Sequence, residues 1–355
     1  MVTNIVNLPH TRPLIAKQNH NGRHLPKKVA ILYSEVKRKY FPTHEQYLTE
    51  KDAFAEASSF IPHLTKLGIK TVLVPADSHV TNRLRRHKPN LVIDLVNSVR
   101  GCEYLSSTAP AMLELLEIPY TGASMLGFTI SMNKYMTKEI MVQHGIPVPK
   151  FQLFTSWRQK LDPSMRFPVI LKLNEVHGSL EITKDAIAEN EVQLRKRLRF
   201  LMKIYEQDVL AEEFIEGREI AAFLFHSFNK KVYLIEKHLP NGSKNKNKIM
   251  DFNTVWNQET TAKDYYVNTL TKYHDPLLTA LVKKAFEVVK MEDYGKFDIR
   301  LDRFGKYFFI DSNPNCYFAP PSESSEITTA MKMYGVPFPV LLKRLLQNTM
   351  REWGY

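Results

Sequence analysis

The residues best spaced for chemistry lie in Lys296-Phe-Asp-Ile-Arg-Leu-Asp302, the four residues 303–306, and Tyr307-Phe-Phe-Ile-Asp-Ser-Asn313. Two strand-like runs flank a short glycine-containing turn, which predicts a β-hairpin. With 303–306 as the loop, Asp302 faces Tyr307, Asp298 faces Asp311, and Lys296 faces Asn313. Side chains alternate along a strand, so Lys296, Asp298, Asp311 and Asn313 project from one face. Arg300, opposite Phe309, shares that face, while Phe297, Ile299, Leu301, Phe308 and Ile310 supply the core side. Directly opposed carboxylates destabilise a sheet by under about 1 kcal/mol in solvent and by more when shielded. A divalent cation between them removes that repulsion. Carboxylate and amide oxygens, without His or Cys, suit Mg²⁺ rather than zinc. A solvated hairpin with scattered acids gives the same spacing, and Asn313-Pro314 also reads as a simple turn.

The surrounding pattern is α/β. Lys28–Tyr33, Ile69–Val74 and Leu91–Val96 are apolar runs of the kind buried in a parallel sheet, and helix patterns cover Tyr47–Leu67 and Thr108–Leu116. Gly68 supplies the stop after the first helix. Ser131–His144 reads as a helix closed by Gly145, Pro147 and Pro149. Strands are expected at Phe167–Leu173, Val209–Phe214, Glu219–Phe225 and Lys231–Glu236, with helices at Glu189–Lys203 and Asp275–Lys290. Residues 1–26, rich in Asn, His and Pro, read as a loose extension. The units expected after it are an N-terminal α/β substrate domain over 27–125, a central subdomain over 126–207 and a C-terminal subdomain over 208–355.

Composition excludes several classes. The 355 residues are 44% hydrophobic and 24% charged, an ordinary soluble balance. No apolar run approaches the roughly 20 residues that cross a bilayer. Cys102 and Cys316 are far apart and in no metal-type spacing, which suits a reduced, cytoplasmic protein. Formal net charge is +12, and five of those charges lie in the first 28 residues. No helix-turn-helix, zinc-finger or aromatic RNA-binding signature accompanies them, so neither nucleic acid nor membrane is an expected partner.

Several motifs in order resemble the ATP-grasp superfamily, and within it the D-alanine–D-alanine ligase group, over roughly residues 90 to 315. Tyr120-Thr-Gly122 with Ser131-Met-Asn-Lys134 is similar to that family's Tyr-Thr-Gly segment and helix-borne lysine. Phe167–Lys172 resembles its second ATP lysine on a strand, Val209–Glu219 its adenine and ribose segment, and the hairpin its metal and catalytic ribbon. The resemblance implies a three-subdomain ATP-grasp fold, with ATP and Mg²⁺ (Mn²⁺ substituting) as cofactors. Lys134 and Lys172 would hold phosphate oxygens, and His177-Gly178-Ser179 would form a covering loop. Glu212 would accept from the adenine amino group. The backbone of Glu213 and Ile215 would read the ring edge, Phe214 would cover it, and Glu219 would accept from the ribose. Asp298, Asp311 and Asn313 would be the metal ligands. Lys296 stands where the family commonly has an arginine to stabilise the oxyanion, with Arg300 as a fallback.

Departures from the family concentrate on the substrates. Tyr33–Lys39 replaces a Gly-rich loop, leaving Glu35 as a candidate for an ammonium. Arg100 and Glu103 stand near the family's His and Glu. Pro314–Pro321, including Asn315, replaces a smaller Pro-Gly segment. Lys237, Lys244, Lys246 and Lys248 crowd a basic loop, the aligned family lysine falling at Val255; most read as solvated charge, and one is a candidate to cover the phosphates. The expected activity is therefore an ATP-dependent carboxylate–amine ligase working through an acyl-phosphate on an amino acid or small acid in specialised metabolism. The alternatives are a D-alanine–D-alanine ligase of cell-wall synthesis and, from another class, a catalytically silent ATP-binding regulator. Small-molecule acid and amine substrates are the expected partners, and the family's frequent dimerisation points to a homodimer.

Overall fold

The computed structural model describes residues 24–238, 270–323 and 325–355. Most of the expected extension and Lys244, Lys246, Lys248 and Val255 lie outside them. Three sheets carry the described chain. β1 (Lys28–Ser34), β2 (Lys70–Ala76) and β3 (Leu91–Leu95) form a parallel sheet in the order β2-β1-β3, and a parallel bridge from Val92 to Tyr120 extends its edge. β4 (Phe151–Phe154), β5 (Val169–Leu173), β6 (Ile187–Ala188) and β7 (Val209–Glu213) form an antiparallel sheet ordered β4-β7-β5-β6. β8 (Gly217–Phe225), β9 (Lys231–Lys237), β10 (Leu270–Tyr273), β11 (Tyr294–Asp302) and β12 (Tyr307–Asn313) form the third, ordered β10-β9-β8-β11-β12. Val209–Glu213, read from the sequence as the start of the C-terminal unit, thus pairs inside the central sheet.

β8 is apolar on both sides because both sides are covered. Ala221, Phe223 and Phe225 enter a core shared with Val29, Ile31, Phe60 and Phe338, whereas Ile220, Ala222 and Leu224 face Phe286, Phe297 and Ile299. The first of these cores joins the N-terminal and C-terminal sheets into one packed body. The other face of the N-terminal sheet receives Trp353, which follows the helix Phe338–Glu352 and lies edge-on to Tyr120 at a ring-centroid distance of 5.7 Å.

Two expected helices are interrupted where the cleft needs their ends. The 47–67 pattern resolves into His44–Leu48, Ala53–Ser59 and Ile61–Lys66, with Pro62 in the first turn of the last. Proline is tolerated in a first turn and not in an interior, so it marks a start. The 131–144 pattern begins a new helix at Lys134. Asn133 caps it by accepting the Met136 N–H at 2.9 Å, which competes with continuing the preceding helix Met125–Met132. Short strands β4, β6 and β10 carried no periodic signal long enough to find.

Trp353→Ala is expected to destabilise the protein by about 3–5 kcal/mol, because it empties a fully buried aromatic site. Chemical denaturation checks it; a change below about 1 kcal/mol means the C-terminus is not part of the core.

Candidate functional site

The hairpin register begins as the alternation dictates and then slips. Lys296 pairs with Asn313 and Asp298 with Asp311, but beyond a β-bulge Ile299 pairs with Phe309, Arg300 with Phe308 and Leu301 with Tyr307. The facing of Asp302 with Tyr307, and of Arg300 with Phe309, is therefore corrected. A bulge sets two residues of one strand against one of the other and reverses the face of everything past it. Tyr307 and Phe309 consequently pack in the core with Phe297, Ile299 and Leu301, in place of the expected Phe308 and Ile310. Ile310 turns to line the cleft.

That cleft, of about 730 Å³, lies between the central and C-terminal sheets and is closed at one end by the N-terminal unit. Lys134, Lys172, His177, Gly178, Ser179, Glu212, Glu213, Phe214, Ile215 and Glu219 all line it. So do Lys296, Asp298, Arg300, Asp311, Asn313, Glu103 and Asn315. Glu35 and Arg100 do not. Glu35 is held by Lys37 at 2.7 Å and Tyr40 at 3.0 Å, and Arg100 is an exposed residue in a turn at φ 54°.

Two clusters organise the lining. In the first, the fully buried Glu212 carboxylate lies 3.2 Å from Lys138 and 3.0 Å from Lys172. The same ammonium groups donate to the carbonyls flanking the bulge, Lys138 to Phe309 and Lys172 to Ile310, each at 3.2 Å. Glu212, expected to meet the adenine amino group, has both oxygens engaged by lysines. Lys138 was missed in the sequence, although it lies four residues after Lys134 and so on the same helical face. Burial, only partly offset by Glu212, pushes the Lys138 pKa down to about 8.

In the second cluster, Lys237, Lys296 and Arg300 interlock with Glu219, Asp298 and Glu326. Lys237 lies 2.7 Å from Asp298, 3.0 Å from Glu326 and 3.3 Å from Glu219. Lys296 lies 3.1 Å from Asp298 and 2.8 Å from Glu326, and Arg300 lies 3.3 Å from Glu219. Three cations thus face three anions. Against the upward push of burial, Lys237 and Lys296 hold the Asp298 carboxyl well below the usual carboxylate range. Lys237 is therefore no solvated loop charge, as its neighbours suggested, but a buried one at the end of β9. Glu326, on the first turn of the helix Glu326–Met333 capped by Ser325, was also missed. Its only sequence signal is an acid directly after a capping serine.

Between the clusters lies Asp311. Its Oδ1 is 3.9 Å from Lys134 and has no hydrogen-bond partner, and its Oδ2 is 3.8 Å from His177 Nδ1. Burial and the Lys134 ammonium push the His177 pKa down to about 4, so the ring is neutral at pH 7. Its backbone N–H donates to Glu103 at 2.7 Å, tying the 177–181 loop to the N-terminal unit. Gly178, Ser179 and Glu181 adopt left-handed φ values of 68°, 56° and 62°, which fold that loop tightly over the cleft. Asn315 accepts from the Ala123 N–H at 3.0 Å while lining the cleft beside Asn313.

The donor set fits a hard cation only in part. Asp298, Asp311 and Asn313 offer oxygens on one face, and Asp311 has an orphaned buried oxygen. No cage of three His, Cys, Asp or Glu side chains exists among the described residues. Such a sparse set suits Mg²⁺, which completes its shell with phosphate and water oxygens. The repulsion expected between Asp298 and Asp311 is meanwhile relieved by ammonium groups.

A family model described as D-ala D-ala ligase C-terminus matches residues 140–347, more than half of the chain. The chain belongs to this family. It is an ATP-grasp, D-alanine–D-alanine ligase-like enzyme of the class that forms a carbon–nitrogen bond. An uncharacterized protein, y4sG, of Sinorhizobium fredii is 27% identical, over 72% of this chain and 77% of its own length. A D-alanine–D-alanine ligase of Bordetella pertussis is 30% identical, over 58% of this chain and 63% of its own. The D-alanine–D-alanine ligase of Bacillus anthracis, solved in complex with ATP, superposes with a TM-score of 0.68 at 16% identity, covering 92% of this chain and 98% of that one. At that identity the likeness is one of fold: the mixed α/β ATP-grasp architecture expected from the sequence.

Glu212→Ala leaves two buried ammonium groups without their counter-charge and is expected to cost about 3–5 kcal/mol of stability. Thermal or urea unfolding measures it, with Glu212→Gln intermediate.

Proposed function

We propose that the protein uses ATP and Mg²⁺ to activate a small carboxylic acid as an acyl-phosphate and joins it to an amine. The observation that supports this most strongly is the convergence of Lys134, Lys172, Asp298, Asp311 and Asn313 on one cleft. In this reading Lys134 and Lys172 orient phosphate oxygens, and Phe214, Ile215 and Ile310 give apolar cover to the base. Asp298, Asp311 and Asn313 would hold the divalent cation, whose chemistry is to neutralise charge on the transferring phosphoryl group. Lys296 and Arg300 face the reacting carboxyl and stabilise negative charge on its oxygen.

The acid gains a phosphoryl group through one carboxylate oxygen, ADP leaving. The amine then forms the C–N bond as the C–O bond to phosphate breaks, its electron pair departing on phosphate. The unpaired Cys102 and Cys316 suit a reducing, cytoplasmic setting. Substrates outside standard wall synthesis are favoured by the rebuilt substrate end of the cleft. A D-alanine–D-alanine ligase proper is the second reading, favoured by the names of several relatives. Product masses from D-alanine and from a panel of acids and amines, each with ATP and Mg²⁺, separate the two.

Asp311→Asn is expected to lower turnover by about a hundredfold or more while ATP affinity changes by less than about threefold. Lys172→Ala is expected to weaken ATP binding by about tenfold. Phosphate release and calorimetric titration of ATP read these out. An unchanged rate in the first variant removes Asp311 from the metal site.

A further inference from the structure

We infer that His177 is a nitrogen ligand of the divalent cation that accompanies the nucleotide, and that the site therefore favours Mn²⁺ over Mg²⁺. This rests on the ligase reading above and deepens it by naming the ion the cleft takes. The hairpin alone offers oxygens from Asp298, Asp311 and Asn313, a hard set that suits Mg²⁺. The fold changes that set by bringing a histidine from a distant loop to the same place.

His177 Nδ1 lies 3.8 Å from Asp311 Oδ2, too long for a hydrogen bond. Two atoms that share a cation at about 2.1 Å each stand roughly 3 to 4.2 Å apart, so the gap suits an ion between them. The His177 side chain is 11% exposed and lines the cleft, yet neither ring nitrogen has a hydrogen-bond partner. The Met132 carbonyl and the Asn313 side chain lie beside the ring without completing a bond to it. Asp311 Oδ1 is orphaned in the same way. An unpaired imidazole beside an unpaired carboxylate oxygen calls for a shared partner, and a cation satisfies both. Asn313 points Nδ2 toward Asp298 Oδ2 at 3.5 Å, which leaves its Oδ1 for the same ion.

The ring is held where it stands. The His177 N–H donates to Glu103 at 2.7 Å, the preceding Val176 carbonyl accepts from Lys134, and the Leu180 N–H donates to the His177 carbonyl at 3.4 Å. A ligand already ordered by its own backbone costs less to fix when the ion arrives. A ligating imidazole commonly turns its other N–H toward a carbonyl, and Met132 offers one. One imidazole, one carboxylate and one amide fall short of a cage of three His, Cys, Asp or Glu side chains, and none exists among the described residues. Phosphate oxygens and water take the remaining positions, so the shell is complete only with the nucleotide. Mg²⁺ is bound through oxygen, whereas imidazole favours transition ions. Oxygens outnumber the single nitrogen here, which suits Mn²⁺ rather than zinc.

The test is pulsed electron paramagnetic resonance of the full chain with Mn²⁺ and β,γ-methylene ATP, an analogue with no nitrogen in its phosphate chain. Spin-echo modulation reads the nuclei bound to the ion. The wild type is expected to show ¹⁴N modulation that becomes ¹⁵N modulation when the protein carries ¹⁵N-histidine, a change the adenine nitrogens cannot give. Among the described residues His177 is the histidine of the cleft lining. His177→Gln is expected to abolish the modulation while the analogue still binds. Competition titration of the analogue-loaded chain is expected to show Mn²⁺ affinity lowered about tenfold by this substitution and Mg²⁺ affinity by less than about threefold. Failure of the wild type to bind the analogue with either ion overturns the ligase reading, and this inference with it. Where the analogue binds, the inference alone falls if no histidine nitrogen modulates the echo, if the modulation persists in His177→Gln, or if the substitution weakens both ions equally.

Discussion

The arrangement around Asp298 is the constraint on which the rest of the site depends. Its carboxylate meets Lys237 from β9 and Lys296 from its own strand, and Glu326 from the helix beyond closes the ring. Removing so many charges from water costs several kcal/mol per ion, and the cost is met only when each finds close partners. The network is therefore a weak source of stability and a strict specification of geometry. It fixes the end of β9, the middle of β11 and the start of the helix Glu326–Met333 at hydrogen-bond distances. Lys138 and Lys172 are set in the same manner around Glu212, so both halves of the cleft are positioned by electrostatics that tolerates little displacement.

Much of this was legible in the residues, and the failures have identifiable causes. The facing of Asp298 with Asp311 follows from strand period two and a four-residue turn, and the structure has it. Past that point the period argument fails, because a single extra residue in β12 reverses its faces, and nothing in Tyr307-Phe-Phe-Ile favours one phase over the other. Lys237 sat at the end of a run of apolar residues and at the head of a basic loop, so composition pointed to solvent. Only its partners, distant in sequence at Glu219, Asp298 and Glu326, make it a buried group. Glu50, in the cleft lining, was hidden in what read as one continuous helix; the break that carries it there comes from turns the apolar periodicity does not register. The parallel sheet and the longer strands β5, β7, β8 and β9 were read correctly as strands, since long apolar runs leave few alternatives.

The division of labour along the chain is also physical. The matched family region begins at residue 140 and carries most of the cleft lining contributed by the central and C-terminal sheets. The lining at the end closed by the N-terminal unit comes partly from residues 50–56, outside that match. A scaffold whose activating half is held by interlocked charges can alter its other half through loops and short helices, because those contribute little to the first network. Family membership thus says more about the half of the cleft inside the matched region than about the half built by the N-terminal unit.

The close approach of Gly122 to Asn315 extends this point. A β-carbon at Gly122 would fall 2.0 Å from Asn315 Oδ1, and the glycine's φ is 95°. Asp293 accepts the Gly122 N–H at 3.0 Å and the Asn348 amide at 3.2 Å, so the backbone there has no room to retreat. The segment leaving the N-terminal sheet and the one leaving β12 are locked side to side like adjoining stones. Bulk can be added at one of these two positions only if it is withdrawn from the other, so they are free to diverge only as a pair.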